Sequence, residues 1–197
     1  MNPPATRPLR ADAERSVRAI LEAAERVLSR NPGASMAQIA TAAGVARTTI
    51  HRRFSHREAL LDALAVSSAR QLVAAVDDGR PDTAPPLVAL HRITANVLEI
   101  KAAWSFSLQI PAEPGSEAAA LHQEIGERCV AVLTRARTAG LIDQDADLHW
   151  TQRVYYALLG ESLHADSDES GDADSLAARI IDTLLHGAAP REPARVR

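Results

Sequence analysis

The stretch SMAQIATAAGVARTTIHRRFSHREALLDAL, residues 35–64, decides the fold. Ser35 and Gln38 have the spacing of a capping box, in which the Ser hydroxyl accepts from one free amide of a new helix while the Gln side chain reaches back to another. A helix is therefore predicted from about Met36, carrying Ile39, Ala40 and Ala43 inward. It ends at Gly44, which can take up the left-handed conformation that a helix end and a tight turn demand. Val45 then fills the corner. A second helix, Ala46 to Phe54, turns Ile50 and Phe54 into the same small core and leaves Arg47, Thr48, Thr49, His51, Arg52 and Arg53 outside. Ser55 and Glu58 repeat the capping-box spacing, so a third helix should follow at once, with Leu60, Leu61 and Leu64 inward. Two helices at a sharp corner, the second with a cationic, hydroxyl-rich face, have the dimensions and donors that suit a DNA major groove. The competing reading is a scaffold whose outer face is merely solvated.

Outward from this stretch the chain is helical throughout. Val17, Ile20, Leu21, Ala24, Val27 and Leu28 share one helix face, which predicts an amphipathic helix over residues 12–30, stopped by Asn31-Pro32-Gly33. Residues 1–10, with three prolines and two arginines, read as a disordered basic arm. On the other side, the third helix runs on through Leu72 and Val76 until the proline-rich segment 79–86. Further helices are expected from Leu87 to about Lys101, from Ser116 to Thr138, from Asp147 to about His164 and from about Asp174 to His186. No strand pattern or repeat is found. The prediction is an all-α protein of about nine helices: a basic arm at 1–10, a helix-turn-helix DNA-binding domain at 11–60, a helical ligand-binding and dimerisation domain at 61–190, and a frayed tail at 191–197.

Charge is divided in the same way. Residues 1–57 hold ten arginines against four acids (Asp12, Glu14, Glu22, Glu25), a balance of +6, and the remainder carries −9 within a net charge of −3. Such asymmetry is the footprint of a chain that offers one end to a polyanion. No run of eighteen or more apolar residues and no signal-peptide pattern occurs, which leads to the expectation of a cytoplasmic protein with no membrane span. The single cysteine, Cys129, excludes an internal disulfide and reads as a small buried hydrophobe.

Catalytic and metal chemistry find little support. Asp166, Asp168 and Ser170 followed by Gly171 fit the start of a calcium loop, but its twelfth position is Ala177 rather than a bidentate Glu, which favours a solvated connector. No histidine pairs with a carboxylate or cysteine at zinc-site spacing, and no nucleophile elbow, phosphate loop or dinucleotide fingerprint occurs. No metal, no cofactor and no enzymatic activity are therefore expected.

Ile39-Ala40, Ala42-Ala43-Gly44-Val45, Thr49-Ile50, Phe54, Arg57-Glu58 and Leu60-Leu61, with the long helix before them, resemble the signature of the TetR family of transcriptional regulators. The resemblance covers about the first third of the chain. It departs from the family at two places: His51 stands where a Tyr is usual, and Arg57 where a Lys is usual. By resemblance Thr49, His51 and Arg57 take the phosphate-contacting places, with Arg47 and Thr48 nearest base edges. The family pattern also implies a small-molecule effector, bound in the C-terminal domain, that acts through the long fourth helix. The clustered Trp104 and Phe106, with Glu99, His122, Gln123, Tyr155 and Tyr156, are the candidate lining of an apolar pocket. The apolar stripes Trp150, Val154, Leu158, Leu163 and Leu176, Ile180, Leu184 are the candidate interface of a homodimer, in which two reading heads match a roughly palindromic operator of double-stranded DNA. The functional expectation is thus a ligand-responsive regulator, a repressor released by a small apolar or amphipathic effector. The alternative is a small-molecule-binding protein or enzyme that retains a non-functional helix-turn-helix.

Overall fold

The computed structural model describes residues 6–162 and 172–187. Among the described residues the chain is all-α: α1 (Thr6–Leu28), α2 (Met36–Ala42), α3 (Arg47–Arg53), α4 (Arg57–Asp78), α5 (Pro86–Ala103), α6 (Glu117–Thr138), α7 (Leu148–Glu161) and α8 (Ala173–His186), with one 3-10 turn at Ser107–Gln109. That is eight α-helices rather than about nine, because the apolar segment after α5 supplies only the 3-10 turn before Pro111 and Pro114. Residues 6–10, expected in the basic arm, belong to α1. The first half of the arm at 1–5, the acidic connector at 163–171 and the tail at 191–197 lie outside the described residues.

The chain forms two compact units. One holds the chain up to Arg70 and the segment Trp104–Ala119; the other holds Gln71–Ala103 and the chain from Ala120. The first, the head, has a core in which Ile20, Leu28, Ile39, Ile50, Leu60 and Leu64 are all fully buried. The second, the body, is built on α5, which packs along α8, with α7 also against α8; its core takes Leu90, Ile93 and Leu98 from α5, Val132 and Leu133 from α6, and Ile180 and Ile181 from α8. α4 is long and apolar enough by composition to cross a bilayer, but its apolar residues serve these two cores, Leu60 and Leu64 in the head, Ala75 and Val76 in the body.

Two local contacts shape the body. Gly79 lies so close to Ile93 that a Cβ would collide with the Ile93 side chain, which makes glycine obligatory for the crossing of α4 and α5. The Arg135 guanidinium donates to the carbonyls of Pro81 and Ala84, the second at 2.8 Å, and so ties the intervening turn to α6.

Candidate nucleic-acid interface

α2 begins with the capping box read from the sequence. Ser35 Oγ accepts from the Gln38 amide at 3.4 Å, and Gln38 Oε1 accepts from the Ser35 amide at 2.8 Å. The helix ends at Gly44, with φ of +67°. There the Val45 amide donates to Ala40 O at 3.0 Å and the Gly44 amide to Thr41 O at 3.1 Å, the paired bonds of a Schellman ending. α3 follows, and Ile50 at 0% and Phe54 at 6% exposure fix its roll. With those two side chains inward, Arg47, Thr48, His51, Arg52 and Arg53 are exposed and Thr49 is half-buried. Seven residues make a helix about 10 Å long, which fits a groove about 12 Å wide.

The electrostatics of this face set it apart. Among the described residues, Arg47, Arg52 and Arg53 have no ion pair and donate no side-chain hydrogen bond, and α3 contains no acid. Free guanidinium groups are hydrated and available to phosphate oxygens or to the O6/N7 edge of guanine.

The start of α4 departs from expectation. The predicted Ser55–Glu58 box does not form, because the helix begins at Arg57 and His56 becomes its cap: the Ala59 amide donates to His56 Nδ1 at 3.2 Å. Glu58 Oε2 is 3.2 Å from the same nitrogen; a neutral ring can serve the amide, whereas a protonated ring donates to the carboxylate. Arg57 is committed within the head. Its guanidinium donates to Ala34 O and to Pro32 O, each at 2.5 Å, holding the turn between α1 and α2 against the start of α4. Three of its five N–H groups are left over.

The residues nominated for an effector pocket are divided between the two units. Trp104 and Phe106 pack against the head core, whereas Glu99, His122 and Gln123 are exposed side chains of the body. Tyr155 is buried in the body core at 3% exposure, and Tyr156 is exposed at 41%. The Tyr155 hydroxyl donates to Thr94 Oγ1 at 2.8 Å, since the Thr94 hydroxyl itself donates to Leu90 O at 2.6 Å. Burial pushes the phenol above its ordinary pKa. Nearby, burial raises the Cys129 thiol to about 11, so this cysteine is a packing group rather than a reactive one. Trp104 and Phe106 thus belong to one unit and the Tyr155–Tyr156 pair, with ring centroids 6.0 Å apart, to the other.

The nominated dimer residues also divide. Trp150 is 59% exposed, with the Arg153 guanidinium 5.4 Å from its ring centroid; Val154, Leu158 and Leu184 are half-buried. Leu176 and Ile180 are buried in the body's own core, in keeping with the packing of α8 on α5. Leu163 lies outside the described residues. The exposed residues of these helices include Trp150, Arg153, Tyr156 and Ala157 on α7, and Ala178, Arg179 and Asp182 on α8.

One residue of evident importance was missed. Glu25 is 4% exposed, and its carboxylate accepts from the amides of Phe106 at 2.7 Å and Ser107 at 3.0 Å and from the Ser107 hydroxyl. Its position between Leu21 and Leu28, on the inward face of α1, was the available clue: an acid at a core position must find donors.

Comparison with known proteins agrees with this architecture. Residues 20–64 match the family described as bacterial regulatory proteins, tetR family. The chain is 35% identical over 156 residues to the HTH-type transcriptional repressor LfrR of Mycolicibacterium smegmatis, covering 79% of this chain and 81% of that protein. The crystal structure of LfrR in complex with proflavine superposes with a TM-score of 0.72 at 32% identity, over 90% of this chain and 98% of that one. The TetR family regulator PfmR of Thermus thermophilus shares the fold, with a TM-score of 0.74 at 20% identity over 87% and 99% of the two chains. Identity to LfrR at that level, sustained over most of both chains and joined to the helix-turn-helix match, means that the chain belongs to the TetR family of bacterial transcriptional regulators.

Proposed function

We propose that the protein is a cytoplasmic, homodimeric repressor, without enzymatic activity, that binds a roughly palindromic operator and is released from it by a small apolar or amphipathic effector. The observation that carries this reading is the set of unpaired arginines on α3, on a head whose caps and buried anchors hold that face outward. In this reading Arg47 and Thr48 meet base edges; Thr49, His51, Arg52 and Arg53 meet phosphates; and Arg57 offers phosphate only the donors left over from its bonds within the head. Exposed Trp150 and Ala157 on α7 and Ala178 on α8 supply a surface on which a second copy can dock, which would place two reading heads on one duplex. That LfrR is a repressor, and has been crystallised with proflavine, supports an effector site in the body and makes proflavine the first probe.

The test begins by selecting duplexes from a random library with the full-length protein, followed by affinity measurements across a salt series. Specific binding with inverted-repeat symmetry, a steep loss of affinity with salt, and a dimeric mass at micromolar concentration are expected. Absence of any selected sequence, or a monomer on the DNA, overturns the reading. Addition of proflavine to the complex is expected to lower DNA affinity, because a ligand that favours the non-binding state must do so.

A further inference from the structure

The segment Trp104–Ala119 starts at the end of α5 and finishes in the first turn of α6, both helices of the body, yet it is a member of the head. Its apolar residues explain part of this, since Trp104, Phe106 and Ile110 pack on the head core. The more specific tie is Glu25. The 3-10 turn Ser107–Gln109 has Phe106 as its N-cap residue, with no side-chain cap of its own. Its free amides are satisfied by a carboxylate from α1, 81 and 82 residues away in sequence. Buried, charge-assisted bonds of this kind are the strong ones, and removal of the acceptor leaves two amides buried and unsatisfied. A second, exposed tie joins Arg70 of α4 to Glu117 of α6, with Nε 3.1 Å from Oε1; exposure makes it a weaker one.

The chain passes between head and body at three places: Arg70/Gln71, Ala103/Trp104 and Ala119/Ala120. Without the Glu25 bonds the segment would be held to the head only by its apolar contacts and the exposed Arg70–Glu117 pair. With them, the segment that joins α5 to α6 is also fastened to α1 by buried polar bonds, and α1 packs on α2, which packs on α3. We infer that Glu25 is a latch that makes the 104–119 segment a second lever on the reading head, so that movement of the ends of α5 and α6 reaches α3 through α1 and not through α4 alone. This inference rests on the regulator reading for its consequence, but the latch itself can be tested without DNA.

The experiment is residue-resolved amide hydrogen exchange on the full-length protein, comparing wild type with Glu25→Gln and Ser107→Ala, together with affinity for a duplex selected by wild type. Glu25→Gln keeps the size of the side chain but replaces one acceptor oxygen by a donor group. It is expected to speed exchange at Phe106 and Ser107 by roughly ten- to hundredfold, while protection in α2 and α3 is kept and DNA affinity falls. Ser107→Ala removes only the hydroxyl and should show a smaller change at the same amides. Unchanged exchange in both variants overturns the latch, as does equal loss of protection across α1, α2 and α3, which would make Glu25 an ordinary member of the head core. Loosened exchange with unaltered DNA affinity overturns the lever. If wild type selects no duplex, the regulator reading fails, and the exchange data alone decide the latch.

Discussion

α3 and α6 each carry three arginines, and the two helices use them in opposite ways. On α6, Arg128 pairs with Asp77 and Glu124, Arg135 donates to the carbonyls of Pro81 and Ala84, and Arg137 donates to Ala146 O at 3.5 Å. On α3, Arg47, Arg52 and Arg53 have no such partner among the described residues. The difference follows from what surrounds each helix. α6 lies beside acids and turn carbonyls, so its guanidinium groups become part of the body's structure. α3 is held by two apolar side chains on one face, and the arginines of the other make no ion pair among the described residues. Identical residue types are bound into the structure in one case and left without polar partners in the other, and what separates them is the occupancy of their donors, which residue counts do not report.

The largest effect should come from the anchor that keeps the α3 cations outward. Ile50 is fully buried, so Ile50→Ala should destabilise the head by about 2–5 kcal/mol. Trp104 packs on the head core and is one of two tryptophans in the chain, so urea unfolding followed by Trp104 fluorescence in a Trp150→Phe background reports it directly. A loss under about 1 kcal/mol would mean that α3 is not held by its apolar face. Next comes the structural side of the contrast. Arg135→Ala strands the buried Pro81 and Ala84 carbonyls and should cost about 1–3 kcal/mol, seen as a shifted denaturation midpoint, with DNA binding of the folded protein unaltered.

These two cases also mark how far the sequence could be read. The head was legible because its determinants are local: Ser35 with Gln38, Gly44 at positive φ, and Ile50 four residues before Phe54 each act within one or two turns of chain. The start of α4 was legible only roughly, since Ser55 and His56 are both competent caps and a shift of one residue decides between them. The body's helices could be placed but not their partners. Leu176 and Ile180 show the same periodicity whether they face α5 or a second copy, and Trp104 and Tyr155 share an aromatic character that says nothing of which unit each will join. Glu25, Arg57 and Arg135 were least legible, because each bonds to groups more than twenty residues away.

Arg57 stands between the two regimes. The family pattern gives it a phosphate, and its geometry gives it the carbonyls of Pro32 and Ala34. Arg57→Ala should cost about 1–2 kcal/mol of head stability through the lost charge-assisted bonds. The salt series separates the roles: loss of a phosphate contact lowers the slope of log K against log salt by about 0.9, whereas a purely positioning residue leaves the slope unchanged while affinity drops. A comparable but purely local effect is expected for Ser35→Ala, which removes the α2 cap and should cost about 1 kcal/mol with no change of slope.

The smallest effect on stability should be the most informative about function. Arg52→Ala and Arg53→Ala remove exposed side chains with no hydrogen bond or ion pair among the described residues, so the denaturation midpoint of the head should stay within about 0.5 kcal/mol of wild type. If α3 enters the major groove, each loss should nevertheless reduce the salt slope by about 0.9 per phosphate contact in a monomer, and twice that when both copies of a dimer are altered. Arg47→Ala should instead leave the slope nearly as it was and cost about 1–3 kcal/mol against the selected duplex, with less discrimination at one base pair in each half-site. Midpoints that fall on removal of Arg52 or Arg53 would show that these groups have partners like those of Arg128, and the contrast between α3 and α6 would collapse. Unchanged midpoints with unchanged slopes would leave the contrast intact and remove DNA as its explanation.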